Sequence, residues 1–442
     1  MVVKYGLRCP FCDARVDYDR LPVVATNIPA SLSPNLTMPT LTLSHVATRS
    51  GFGVSESTDH DEDSTSVGAS GFRPRATVSI PSGSPILGWV GQWPVIRKPA
   101  AGPHDAGVSG SQRLRRALGV REDEPELLPQ DLPAYICLRC KYPLPDELAT
   151  HELYTVGVVG TLGSGKSHFL AAMALEATRR HGLAPFGVTE FAPNERTGVT
   201  FQERYYRRVF RQQLTLKGTP REDTNIRFQP LTFRVTVGKS CETPFRRSPA
   251  DRQIALLFHD VSGEVLTNAG DRAAVAPFLR RADGLIFLVD PAALEPVRDW
   301  RERSGLADSA QAIDDYYQTD LLRACIDEIG EERLREMPVA IVLSKSDIVL
   351  KLLGQNFAFA RPPSRNVEQW LKERNVIHHE VRRVLAQLGG TDLLVAARRI
   401  PNVTFHAVAA IGTEPDRDGR IGGMRPLRCV DPVAQVIMFL TN

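Results

Sequence analysis

Gly160-Thr-Leu-Gly-Ser-Gly-Lys-Ser167 is the stretch on which the reading of this chain turns. Before it runs Tyr154-Thr-Val-Gly-Val-Val159, apolar and β-branched, with the composition of a buried strand. After it runs His168-Phe-Leu-Ala-Ala-Met-Ala-Leu-Glu-Ala177, rich in strong helix formers. Strand, glycine-rich turn and helix, with Gly-x4-Gly-Lys-Ser at the turn, is the context of a phosphate-binding loop. Gly163 and Gly165 let the backbone wrap its N–H groups around an anion, and the helix N-terminus adds its partial positive charge. Lys166 would reach the β- and γ-phosphates of a nucleoside triphosphate, and the Ser167 hydroxyl would hold Mg²⁺. Gly160, Gly163, Ser164, Gly165, Lys166, Ser167 and His168 are therefore the candidate phosphate contacts.

The remaining composition narrows the class. The chain has 442 residues, 42% hydrophobic and 24% charged, as in a globular protein with room for a large domain and a smaller one. A net charge of +3 on this length gives no nucleic-acid footprint. The start, Met-Val-Val-Lys-Tyr-Gly-Leu-Arg-Cys9, lacks the apolar core of a signal peptide, and no apolar run approaches the roughly 18 residues of a membrane span. A cytoplasmic address is expected. Seven cysteines, an odd number, argue against a disulfide framework.

Two of the cysteine pairs have metal-ligand spacing. Cys9-Pro-Phe-Cys12 and Cys137-Leu-Arg-Cys140 can each present two thiolates to one ion, and together make the four-sulfur set that Zn²⁺ prefers. Their separation is far longer than in a common ribbon, so residues 1–150 are expected to form a zinc-ribbon-like module interrupted by a long insertion. Closing such a loop costs little more than closing a short one. The insertion, about residues 22–112, is rich in Ser, Thr, Pro and Gly and is expected to be flexible, except around Trp89 and Trp93, which should dock on a folded part.

From Leu153 onward strand and helix patterns alternate, predicting an α/β domain over 151–442: a mostly parallel sheet sandwiched by helices. Strands are expected at Leu231–Val237, Gln253–His259, Gly284–Val289, Val339–Ser344 and Val403–Val408, with helices over Ser167–Arg180, Asp314–Met337, Val367–Leu388 and Pro432–Leu440. The connection 238–252 holds Pro244 and Pro249 and no helical period, so the strands it joins should be antiparallel. Arg204, Arg207, Arg208 and Arg211 fall on one face of an expected α-helix, an arrangement typical of a solvated face.

Three further motifs carry chemistry. In His259-Asp260-Val-Ser-Gly263-Glu264, Asp260 ends a buried strand, where the water-mediated Mg²⁺ partner of a phosphate loop belongs. Gly263 can offer its N–H to a γ-phosphate. In Ser344-Lys345-Ser-Asp347, Asp347 can accept two hydrogen bonds from the N1–H and exocyclic amine of guanine, and Lys345 would lie along the base. Adenine would leave that carboxylate unpaired. The last strand ends in Val408-Ala409-Ala410, small residues that let a backbone N–H reach the guanine oxygen.

In this order the motifs resemble the GTPase domain of the Ras-like, translation-factor-related class. Gly-Ser-Gly-Lys-Ser-His-Phe-Leu, Asp-x-x-Gly-Glu and Ala282-Asp-Gly-Leu-Ile-Phe-Leu-Val-Asp-Pro291 resemble, within it, the bacterial double-GTPase proteins of conflict and defence gene clusters. The resemblance implies a GTP/GDP-binding switch with Mg²⁺. It also implies protein partners, among them a second GTPase or an activator. Ser344 stands where the class often has asparagine, and Glu264 where it places the glutamine that orients the attacking water. A carboxylate there predicts slow unaided hydrolysis. Arg280, Arg281 or a partner's arginine is the expected source of compensating charge. Thr219 is the preferred switch threonine, with Thr224 the other candidate. An ATPase module or a non-hydrolysing nucleotide-bound scaffold are the competing readings.

Overall fold

Strands of alternating side-chain direction, apolar on both sides, require cover on both faces. The computed structural model describes residues 8–10, 15–16, 23–25, 133–135, 137–139, 144–178, 182–216, 230–238, 251–262, 278–305, 315–416 and 418–441. A short antiparallel pair, β1 (Val23–Ala25) with β2 (Pro133–Tyr135), stands apart from a seven-stranded sheet. That sheet consists of β3 (Glu152–Gly160), β4 (Val188–Pro193), β5 (Leu231–Val237), β6 (Arg252–Ser262), β7 (Gly284–Val289), β8 (Val339–Leu343) and β9 (Val403–Ala407). Their order is β4-β5-β6-β3-β7-β8-β9. β6, β3, β7, β8 and β9 run parallel, whereas β5 is antiparallel to both β6 and β4. The proline-bearing connection 238–252 thus joins an antiparallel pair, in line with its prolines and lack of a helical period in the sequence.

Period two sorts the strands' side chains into two cores. Val159, Leu285, Phe287, Val289, Val339, Ile341 and Leu343 point to one face. Val156, Val158, Ile286, Leu288, Ala340 and Val342 point to the other. The second face is covered by α1 (Lys166–Thr178), whose Phe169, Leu170 and Met173 are fully buried. Between β4 and β5 lie α2 (Glu195–Thr200) and a π-helix, Phe201–Arg211. The first face takes α3 (Glu295–Arg303), α4 (Asp315–Ile329), α5 (Glu331–Glu336) and α6 (Ser346–Leu353), with α7 (Val367–Gln387) running along β9 and α8 (Thr391–Ala397) beside α4. The closing helix α9 (Asp431–Thr441) returns to the second face.

Three local expectations change. β4 is an additional edge strand; its Val-Thr-Glu-Phe-Ala-Pro composition hides the period, and Pro193 suits an edge end where no ladder donor is needed. The helix expected over 314–337 is two, because Gly330 adopts φ 83° and breaks the path between α4 and α5. The arginine-rich stretch 201–211 is a π-helix with i→i+5 bonding, so an α-helical face does not describe it. There Arg208 Nε donates to the Thr215 carbonyl at 2.6 Å.

Against the N-terminal turns of α7 a buried polar knot fixes the C-terminal region. Arg428, 1% exposed, donates to Asp431 (2.7 Å), Glu373 (2.9 Å) and the Arg361 carbonyl (2.8 Å), while Trp370 Nε1 donates to Asp431 at 3.1 Å. Every charge in the knot meets an opposite one, the condition under which buried ions are tolerated.

Candidate functional site

The parallel registers bring the C-terminal ends of five strands to one edge. Gly160 lies opposite Ser262 and Leu288, Val289 opposite Leu343, and Leu343 opposite Ala407. Motifs far apart in sequence therefore open onto one crevice, the usual ligand site of such sheets.

At its centre is the loop Gly160–Ser167. A Cβ on Gly160 would sit 2.5 Å from Ser164 Oγ and 2.9 Å from the Leu288 carbonyl oxygen, so glycine alone lets the strand end pass beneath the loop. Gly163 and Gly165 adopt φ 78° and 87°, a left-handed path that L side chains resist. Nothing lies within 4 Å of where a Gly165 Cβ would project. Lys166 Nζ donates to the carbonyls of Gly160 (2.8 Å) and Thr161 (2.9 Å). The hydroxyls of Thr161 and Ser164 are fully buried and have no partner among the described residues. Buried polar atoms are costly unless something satisfies them. Left-handed glycines, an open side at Gly165 and a cation over the loop's carbonyls fit a phosphate-bearing ligand.

Asp260 reaches the loop from β6, where it pairs with Val158 of β3. Its Oδ2 accepts from Ser167 Oγ at 3.0 Å. Burial pushes the Asp260 carboxyl up, against the opposing pull of Lys166 and the Ser167 hydrogen bond. A hydroxyl and a carboxylate so placed are hard oxygen donors, suited to Mg²⁺ that keeps its other positions for water and phosphate. Among the described residues no group of three or more His, Cys, Asp or Glu could hold a metal, which a Ser–Asp site does not need.

His168, next along α1, accepts from the Leu216 N–H at 3.0 Å. Burial, and then the Lys345 charge, lower it to about 4, so it is a neutral acceptor at pH 7.

At the β8 end, Ser344 donates both its N–H and its hydroxyl to the Val289 carbonyl at 2.9 Å. Its side chain thus knits β8 to β7. Lys345 adopts φ 47°, and its Nζ lies 2.7 Å from Asp290 Oδ2. Asp290 also caps the following turn, accepting from the Ala292 N–H at 3.0 Å. Gln318 on α4 clamps the Asp290 backbone from both sides, accepting from its N–H (2.6 Å) and donating to its carbonyl (3.1 Å). Asp290 and Gln318 were not assigned from sequence; the only signal was an aspartate ending the apolar run Leu285–Val289. Asp347 sits half-buried in the first turn of α6, and burial raises its carboxyl. The Ser346 N–H donates to the Val408 carbonyl at 3.0 Å, which ties this turn to the β9 end. Beyond it Ala409 and Leu427 exchange hydrogen bonds of 3.1 and 2.8 Å, which positions Ala410.

The loop, Asp260, Ser344, Lys345, Asp347 and Ala410 are thus gathered on one sheet edge. Arg280 and Arg281 are not. They precede Gly284, the first residue of β7, which pairs with Val156 in the middle of β3 whereas the other end of β7 reaches Gly160, and Arg280 is 2.6 Å from Glu328. The sheet register places them at the far edge from Gly160, which removes them as the source of charge for a γ-phosphate. Thr219, Thr224, Gly263, Glu264, Cys12, Cys140, Trp89 and Trp93 lie outside the described residues. Cys9 and Cys137 are described, and each is 2% exposed. No helix among the described residues is long and apolar enough to cross a membrane.

The family model described as Double-GTPase 2 matches residues 154–386, more than half of the chain. No curated protein matches. Among solved structures, a chain of the signal recognition particle receptor SRb-GTP/SRX complex from Chaetomium thermophilum is 17% identical, with 60% of this chain and 94% of that chain covered and a TM-score of 0.26. The fold assignment rests on this chain's own strand order and loop geometry rather than on that likeness.

Proposed function

Because the chain belongs to the Double-GTPase 2 family, we propose that it is a GTP-binding switch that hydrolyses GTP slowly on its own. The observation that carries the reading is the Ser167–Asp260 hydrogen bond of 3.0 Å beneath a left-handed glycine loop, on the same sheet edge as Asp347. In this reading the loop N–H groups and Lys166 hold the phosphates, and Ser167 and Asp260 hold Mg²⁺, which would supply charge neutralisation at the β- and γ-phosphates. Asp347 accepts from guanine, Lys345 lies along the base, and the Ala410 N–H meets the guanine oxygen. Gly263 and Thr219 would sense the γ-phosphate, so that hydrolysis releases the segments bearing them. Glu264, a carboxylate beside that phosphate, is the reason for slow turnover. An activator or a second GTPase would supply the positive charge that Arg280 and Arg281 are too remote to give.

The test is a titration of the purified chain with GTP, GDP and ATP in the presence of Mg²⁺. GTP and GDP should compete for one site, and ATP should bind about tenfold less well or worse. Equal binding of ATP would show that Asp347 is not reading guanine. We further propose that residues 1–150 form a zinc-ribbon-like module on Cys9, Cys12, Cys137 and Cys140, and that the protein acts within a bacterial conflict or defence system. These two readings are supported by cysteine spacing and by motif resemblance respectively.

A further inference from the structure

On an α-helix, an acidic residue and a basic residue four positions later are neighbours, and with the acid N-terminal the pair is favourable. Asp347 and Lys351 on α6 have that spacing. Yet among the described residues no ion pair joins them. Lys351 Nζ lies instead 2.9 Å from Glu414 Oε2, in the loop after β9. Glu414 is 16% exposed, and its other oxygen makes an ion pair, without hydrogen-bond alignment, with Arg301 of α3 at 3.1 Å. The loop that carries Glu414 is itself fixed. The Arg425 N–H donates to the Ile411 carbonyl at 2.8 Å, and Gly412, at φ 77°, passes so close that a Cβ would meet the Arg425 carbonyl oxygen. Burial raises the Asp347 carboxyl; among the neighbouring charges Lys351 and Lys345 lower it and Glu414 raises it.

We propose that Glu414 is a positioning residue for base recognition: it draws the Lys351 ammonium away from Asp347 and so keeps that carboxylate free to accept from the base. A lysine closed onto Asp347 would have to be displaced before the two guanine donors could bind, and that displacement would subtract from nucleotide affinity. The inference rests on the reading of Asp347 as the guanine acceptor.

The experiment measures GDP and ADP affinity by calorimetry for the full chain and for Glu414→Gln and Glu414→Gln/Lys351→Gln, with thermal melts to confirm folding. Glu414→Gln should weaken GDP about fivefold, the scale of a partly exposed ion pair that must be broken, and the double variant should return to within about twofold of the parent. Rescue is the discriminating result, since a glutamate that merely pinned the loop would not be replaced by removing Lys351. Unchanged GDP affinity in Glu414→Gln, or a loss that the double variant does not recover, overturns the proposal. A parent chain that binds GDP no better than ADP instead overturns the guanine reading beneath it.

Discussion

Replacing Asp290 tests how the base-side edge of the site is held. Its carboxylate, 7% exposed, takes the Lys345 ammonium at 2.7 Å and the Ala292 N–H at 3.0 Å. Lys345 is 34% exposed, so water can take over its ammonium when the partner is lost. The ion pair then counts as a screened one, about 1 kcal/mol, not the several that an orphaned buried charge would cost. Loss of the cap adds about 1 kcal/mol. Asp290→Ala should therefore lower unfolding stability by about 2 kcal/mol. Asp290→Asn, which keeps an acceptor for Ala292, should lower it by about half as much. The backbone at 290 stays in place in both variants, because Gln318 grips it independently of the side chain. Urea denaturation at unchanged m reads the stability term. Calorimetry with GDP reads the second consequence: Lys345, no longer tethered, should hold the base less well, with affinity reduced about fivefold in both variants. If Asp290→Ala loses stability while GDP affinity is unchanged, the tether does not position Lys345. If neither quantity moves, the ion pair itself is refuted.

Acid should destabilise the fold before its carboxylates titrate in the unfolded chain. Burial lowers His259 to about 3, and burial aided by Arg374, His378 and Arg428 lowers His406 to about 3. Depressed histidines bind protons more readily unfolded than folded, so their contribution is complete above the unfolded value near 6.5 and is lost as pH falls toward 3. At pH 5 each should cost about 2 kcal/mol relative to pH 7. Asp260 and Asp431, raised by burial, act in the opposite sense, so the pH 7 to pH 5 change in urea midpoint should be compared between the parent and His259→Gln. An identical change in both would refute the assignment. For the cysteine pairs, metal analysis of freshly purified chain should find about one zinc per chain, lost in Cys9→Ser; less than about half an equivalent would sink the four-cysteine site.

Much of the domain was legible because its signals are local. The run 231–237, rich in Thr and Val, and the apolar run 284–289 became strands with the expected bounds, since such runs favour extended backbone wherever both faces are covered. Pro244, Pro249 and the missing helical period between them and the flanking strands pointed to an antiparallel pair, and β5 is antiparallel to β6. Where the local signal was mixed it misled: β4 carries no clean alternation, Gly330 splits a helical period by one backbone angle, and Phe201–Arg211 bonds i→i+5 despite an α-like arginine spacing.

By itself the sequence determined the phosphate loop, because Gly163, Gly165, Lys166 and Ser167 act through backbone freedom and side-chain type within a single turn. What the tertiary structure decided is which distant groups share the site with that loop. Asp260 meets Ser167 because β6 and β3 are in parallel register, whereas Arg280 and Arg281, equally plausible in sequence, fall at the opposite sheet edge for the same reason. Asp290 with Lys345, and Glu414 with Lys351, are contacts between residues more than fifty positions apart. Such contacts depend on strand order and on where a loop is pinned, and no local period records either. The loop at 160–167 thus specifies that an anion can bind, and the sheet edge specifies which side chains surround it.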